Sequence, residues 1–238
     1  MLIDSTLRIT ILRKIVHILL CSLLLIPFIN IVSFIDPLQY YSILLVVSSI
    51  LNSFIIKKPL LSKELRNSFE KRRRQIFETI LKTPPLALKG ILSIEKWIAN
   101  LEKIIQEEIS RMEREYEKKG GYIGIVYGIV GVLISYIFFK EYTFYGIIAL
   151  MIIDPIAAIF GKKYGRYRVP ITDKSVEGSF VSTLFFTIVL FLLDIDLKKA
   201  FVISFITAIT ELISIEDNLT IPMISSFLIF FLNSQTFF

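Results

Sequence analysis

The chain has 238 residues, a formal net charge of +6 and 54% apolar residues, and its mean hydropathy is +0.68. A soluble domain of this length could bury a sizeable core with less apolar sequence, so the composition sets aside a soluble helical core and points to a membrane protein. The one cysteine, Cys21, cannot form an internal disulfide.

Crossing about 30 Å of hydrocarbon takes roughly 17–25 helical residues at about 1.5 Å each. Apolar runs of about that length cover 15–35, 38–56, 121–139, 142–160, 179–194, 198–214 and 221–237. They predict an all-α polytopic membrane protein with about seven transmembrane helices. The runs at 179–194 and 198–214 are short, which predicts tilt or partial re-entry. The first run follows Arg13 and Lys14 as a signal peptide would, but no small-residue cleavage site follows. It reads as a retained helix. The chain then divides into two N-terminal membrane helices (1–60), a polar insertion (61–120) and a five-helix membrane domain (121–238).

Within the insertion, "TPP" at 83–85 interrupts any helix, because proline lacks the amide hydrogen and its ring clashes with the preceding turn. Beyond it Ile91, Ile94, Ile98, Leu101, Ile105, Ile109, Met112 and Tyr116 recur every three or four residues, an amphipathic helix stopped by "GG" at 120–121. A solvated helical hairpin follows. The sharper alternatives are a lid or a homodimer formed through a coiled coil over 86–119. "KRRR" at 71–74 is expected to meet anionic lipid headgroups, not nucleic acid.

Charge sets the orientation. Sixteen Lys and Arg lie in 57–120, and Lys162, Lys163, Arg166, Arg168 and Lys174 lie between the fourth and fifth runs. The alternate turns carry none, one and two cations. The positive-inside rule then places the N-terminus, 57–120, 161–178 and "SIEDNLT" in the cytoplasm and the C-terminus outside. Every unusual polar segment falls on one face.

Three such segments carry chemistry. "RKIVHI" holds Arg13, Lys14 and the only histidine, His17. In "DPIAAIFGKKYGRYRVPITDKSVEGS", residues 154–179, Asp154 ends nine nonpolar residues, and an ionisable group there is a functional candidate. Gly161 and Gly165 permit close backbone approach, and Lys162, Lys163 and Arg166 around them suit an anion. No Walker loop is present. "ELISIEDNLTIP", 211–222, sets Glu211 at the end of an apolar run and Glu216 beside Asp217. Oxygen ligands of this kind suit Mg²⁺.

These pieces, in this order, resemble the CTP-dependent polyprenol kinase family, which includes dolichol kinase and phytol kinase. "RKIVH" is similar to its Arg-Lys-x-x-His. "DPIAAIFGKKYG" followed by "KSVEGS" resembles its Asp-x-x-Ala-x-x-x-Gly-x-x-x-Gly and Lys-Ser-x-Glu-Gly-Ser. "EDNLTIP" resembles its Glu-Asp-Asn-x-x-Ile-Pro element, associated with CTP binding. The likeness covers 121–226 well and leaves 61–119 unexplained, and Pro155 stands where many members carry a small residue.

The resemblance implies transfer of the γ-phosphate of CTP to the hydroxyl of an isoprenoid alcohol of the dolichol, geranylgeraniol or phytol class, with 121–238 as the catalytic domain. It implies a nucleotide site of Gly161, Lys162, Lys163, Gly165, Arg166, Ser175, Gly178, Asn218 and Pro222, with Lys174 acting on the phosphates. Asp154, Glu216 or Asp217 would hold Mg²⁺, and either Glu177 or Asp154 would accept the alcohol proton. Arg13, Lys14, His17 and Glu211 are further candidates. The rivals are a CTP-dependent cytidylyltransferase, whose Pro-Gly-His-Gly-Gly signature is lacking, and a transporter or scaffold.

Overall fold

The computed structural model describes residues 5–29, 35–57 and 123–234. Those residues are helical apart from connecting turns and one isolated strand-like pairing, Arg168 with Ser175. The helices are α1 (Ser5–Leu24), α2 (Pro37–Lys57), α3 (Ile123–Phe139), α4 (Thr143–Tyr164), α5 (Val176–Leu192), α6 (Leu197–Ile213) and α7 (Asp217–Ser234), with short 3-10 turns at Ile26–Phe28 and Lys140–Tyr142. The chain forms two compact units, 1–49 with 122–238, and 50–121. The second lies almost wholly outside the described residues. So do the expected insertion at 61–119, its amphipathic helix, "KRRR" at 71–74 and the coiled coil over 86–119.

Six of the helices follow the apolar runs to within a few residues. The first does not. α1 begins at Ser5 and ends at Leu24, whereas the run spans 15–35. Pro27 sits in the 3-10 turn that follows, where its missing amide hydrogen prevents helix continuation. The early start has a consequence for the site: Lys14 and His17 lie in mid-helix.

One continuous stretch, Ile123–Tyr164, is long and apolar enough to cross a membrane by length and composition. Val176–Leu192 and Asp217–Asn233 are shorter apolar helices. α5 and α6 have 17 residues each, so each rises about 26 Å, less than a typical hydrocarbon core.

α4 is the centre of the first unit and packs against α1, α3, α5 and α7. Its buried side is built of small and aliphatic residues, among them Gly146, Ile147, Ala149, Leu150, Ile153 and Ala157. Leu150 and Ile153 join Phe186 and Leu190 of α5, Ile203 of α6 and Ile221 of α7 in one core. A second core joins Leu24, Tyr41, Ile129, Val132 and Ile147, where the Tyr41 hydroxyl donates to the Leu24 carbonyl at 2.7 Å. The α4–α5 contact depends on glycine. A Cβ on Gly178 would collide with the carbonyl oxygen of Ala157 on α4. α5 is capped by Ser175, whose hydroxyl accepts from the Gly178 amide at 3.0 Å.

Candidate functional site

Asp154 is only 4% exposed, on the inner side of α4. A carboxylate there needs partners, since an unpaired buried charge is very costly. α1 supplies them. Lys14 Nζ lies 2.6 Å from Asp154 Oδ1, and His17 Nε2 lies 3.3 Å from Oδ2. Lys14 and His17 are three residues apart, so a helix puts them on one face. Cys21, one further turn along, places Sγ 3.4 Å from His17 Nε2, which is also 3.3 Å from the Leu150 carbonyl. Arg13 is half-buried and adjacent to Lys14, and so points from a different side of α1.

The segment after α4 is a tied hairpin. Val169 N donates to Lys174 O at 2.9 Å, and Val176 N donates to Tyr167 O at 3.0 Å. Glu177 closes its base: one carboxylate oxygen accepts from the amides of Arg166 (3.0 Å) and Tyr167 (3.1 Å). Bonds from its own amide and from those two hold its carboxyl below the usual range.

From this hairpin Lys174 reaches across to the α6–α7 turn. Its Nζ lies 3.2 Å from Glu211 Oε1 and 2.8 Å from Asp217 Oδ2, and it donates to the carbonyls of Glu211 (2.6 Å) and Ser214 (3.3 Å). Burial alone would pull its pKa down. Asp217 and Glu211 outweigh burial and raise it. Glu211 Oε2 accepts from Ser179 Oγ on α5 at 3.1 Å. Asp217 Oδ1 accepts from the Asn218 amide at 2.8 Å. Thr172 Oγ1 adds a bond to the Leu212 carbonyl at 2.7 Å.

The result is a cluster drawn from α1, α4, α5, α6, α7 and the hairpin. Asp154, Glu211 and Asp217 each offer an oxygen within 4.8 Å of the others. Lys14 pairs with the first and Lys174 with the other two. Three carboxylates as hard oxygen donors suit Mg²⁺.

The expected residues fall in distinct places. Lys14, His17, Asp154, Lys174, Glu211 and Asp217 come together. Glu216 does not join the trio and is exposed; Glu211, six residues from Asp217, stands there instead. Gly161, Gly165, Ser175 and Gly178 meet where α4 packs on α5, and a Cβ on Gly161 would lie 2.6 Å from Ser175 Oγ. Lys162, Lys163 and Arg166 are exposed where α4 ends, a favourable place for cations beside the helix carbonyls. Asn218 lies beside Gly124 of α3, and its Oδ1 is buried with no hydrogen-bond partner among the described residues. Pro222 packs against Gly131 and Gly146. Ser179 and Cys21 were not anticipated. Ser179 had a signal: it lies four residues after Ser175 in "KSVEGS", on the face of α5 that Gly178, Ser182 and Thr183 also bury.

No family model matches the chain, and no solved structure matches it. It is similar to the dolichol kinase sec59 of Schizosaccharomyces pombe, 36% identical over 86 residues, which is 33% of this chain and 17% of that one. It is also similar to an uncharacterised protein of Methanocaldococcus jannaschii, 31% identical over 130 residues, 53% of this chain and 66% of the relative. The chain thus matches about a sixth of the dolichol kinase's length. The partial likeness to a dolichol kinase suggests the polyprenol kinase family and nothing finer.

Proposed function

We propose that the protein is a membrane-embedded lipid-alcohol kinase that transfers the γ-phosphate of CTP to the hydroxyl of an isoprenoid alcohol. The observation that carries this reading is the carboxylate trio Asp154, Glu211 and Asp217, gathered from three helices and interleaved with Lys14 and Lys174. Phosphoryl transfer asks chiefly for positioning and charge stabilisation, and a cluster of this composition supplies both. The partial similarity to a dolichol kinase supports the lipid acceptor.

In this proposal the helices are seven membrane spans, and the cluster opens to the cytoplasm at their ends. Asp154, Glu211 and Asp217 hold Mg²⁺, which when bound neutralises phosphate charge. Lys174 and Arg166 supply positive charge for the triphosphate, and the buried Asn218 amide oxygen, lacking a partner, accepts a hydrogen bond from the nucleotide. Lys14 and His17 fix Asp154. The alcohol oxygen attacks the γ-phosphorus while its proton passes to a carboxylate, and the bond from γ-phosphorus to the β-bridging oxygen breaks to release CDP. Both candidates for that proton have partners: the hairpin amides engage Glu177, and Lys14 and His17 engage the two oxygens of Asp154. We assign Asp154, as a member of the trio, to Mg²⁺.

Purified protein in lipid vesicles, incubated with labelled CTP and a panel of lipid alcohols, tests the reading. The expected products are CDP and a lipid monophosphate, with CTP far better than ATP and no turnover in excess chelator. Pyrophosphate and a CDP-lipid would instead make it a cytidylyltransferase. Equal use of ATP, or full activity in chelator, would sink the CTP-kinase assignment.

A further inference from the structure

The hairpin between α4 and α5 turns large apolar side chains outward beside its exposed Arg166, Arg168 and Asp173. Its frame is fixed by the backbone bonds at Val169 and Val176, and Thr172 and Lys174 pin it to the end of α6. On that frame Tyr167 is 74% exposed and Ile171 is 80% exposed. Ile215, in the adjoining α6–α7 turn, is 76% exposed. The end of α4 contributes exposed Lys162, Lys163 and Tyr164, with Lys163 Nζ 4.9 Å from the centre of the Tyr164 ring. Large apolar side chains held open on a tied backbone, flanked by tyrosine and lysine, match the chemistry of a membrane–water interface. There the apolar bodies enter the acyl boundary, and the ammonium groups reach the headgroups. The charge of this rim is complementary to an anionic leaflet.

We propose that the hairpin and the α6–α7 turn seat in the headgroup layer of an anionic phospholipid bilayer. Tyr167, Ile171 and Ile215 enter the acyl boundary, and Lys162 and Lys163 meet lipid phosphates. The inference rests on the membrane part of the reading above and not on the kinase reaction. It gives Lys162 and Lys163 to lipid and leaves Lys174 and Arg166 to the nucleotide. It also sets the charge cluster at the depth of a lipid alcohol's hydroxyl, because Lys174 ties the hairpin to Glu211 and Asp217.

The test uses the full chain in vesicles of phosphatidylcholine with or without phosphatidylglycerol. Ile171→Cys, Tyr167→Cys and Asp173→Cys variants are labelled with an environment-sensitive fluorophore; Cys21 is buried and spared. Asp173 belongs to the same hairpin, with its side chain 85% exposed. The expected result is a blue shift at 171 and 167, with quenching by spin-labelled lipid several-fold stronger there than at 173. Phosphatidylglycerol should enlarge the difference, and the double variant Lys162→Gln, Lys163→Gln should remove that enlargement. Water-like emission at 171 and 167 would overturn the proposal. So would a shift indifferent to phosphatidylglycerol, or one produced by free CTP in neutral vesicles. CDP release from the same samples reports separately on the kinase reading.

Discussion

Asp217 spends its two carboxylate oxygens differently. Oδ2 takes the Lys174 ammonium, and Oδ1 takes the Asn218 amide. Asp217→Asn keeps the size and most of the hydrogen bonding and removes the charge. If that charge holds Mg²⁺ against a triphosphate, CDP release should fall by at least about a hundredfold, since metal contacts made in the transition state are worth several kcal/mol. Membrane insertion should not change, because Lys174 keeps Glu211. Glu211→Gln should behave alike. Glu216→Gln is the internal control: its carboxylate lies outside the trio, so CDP release should stay near the wild-type rate. A Mg²⁺ titration of CDP release at matched protein levels separates the three. If Glu216→Gln fell as far as Asp217→Asn, the metal would sit on the sequence neighbours and not on the trio. Ser179→Ala removes one buried donor to Glu211 Oε2. It should cost roughly 1 kcal/mol of stability, read from thermal unfolding in detergent.

The helices were legible because each apolar run is about one helix long and ends at a polar turn. α5 shows the physical basis. Ser175 is an N-cap, Glu177 favours the first turn, and fifteen further residues through Leu192 contain no charge. α1 was misplaced because hydropathy marks the apolar part of a helix, while Pro27 and the upstream polar turns set its true limits. Asp154 was legible as a charge within an apolar run, and Lys174 and Asp217 as charges in the polar segments between runs. Glu211 was noted without a partner, since nothing in the sequence says that the turn at 214–216 brings the last turn of α6 beside the first turn of α7. Glu216 drew notice by adjacency to Asp217, yet neighbours in sequence point to different sides of a helix start. The glycines of "GKKYG" read as room for an anion, and the resemblance implies Gly178 in the nucleotide site; in the structure all three pack where α4 meets α5. A bulky residue tests that contact. Gly178→Val puts two methyl groups against the Ala157 carbonyl, and overpacking of this kind costs roughly 1–3 kcal/mol. Unfolding in detergent should show that loss, and CDP release should fall with it as Ser175 and Ser179 are displaced. An unchanged melting temperature would mean that the helices separate without cost.

At the scale of the whole first unit, one polar tie joins Lys14 to Asp154, 140 residues apart in the chain. It binds the N-terminal helix to the helix at the centre of the fold, so the site is incomplete within 121–238. The tie also makes the N-terminal motif interpretable: Lys14 and His17 need not touch a substrate to matter, because they decide where Asp154 points. Two effects follow from Lys14→Met, and they can be separated. Losing one partner of a buried pair leaves an uncompensated charge and costs roughly 3–5 kcal/mol, whereas replacing both partners with neutral groups is often close to neutral. The double variant Lys14→Met, Asp154→Asn should therefore recover most of the melting temperature that Lys14→Met loses. Activity should follow the opposite logic. The double variant lacks the Asp154 carboxylate, so CDP release should stay at least about a hundredfold down even where stability returns. Thermal unfolding and CDP release measured on the same preparations of wild type, both single variants and the double variant give the full cycle. Recovery of both quantities together would make Asp154 a structural counter-ion to Lys14 and remove it from the reaction. Recovery of stability alone is the expected outcome, and it would place Asp154 at the reacting atoms with Lys14 as its support.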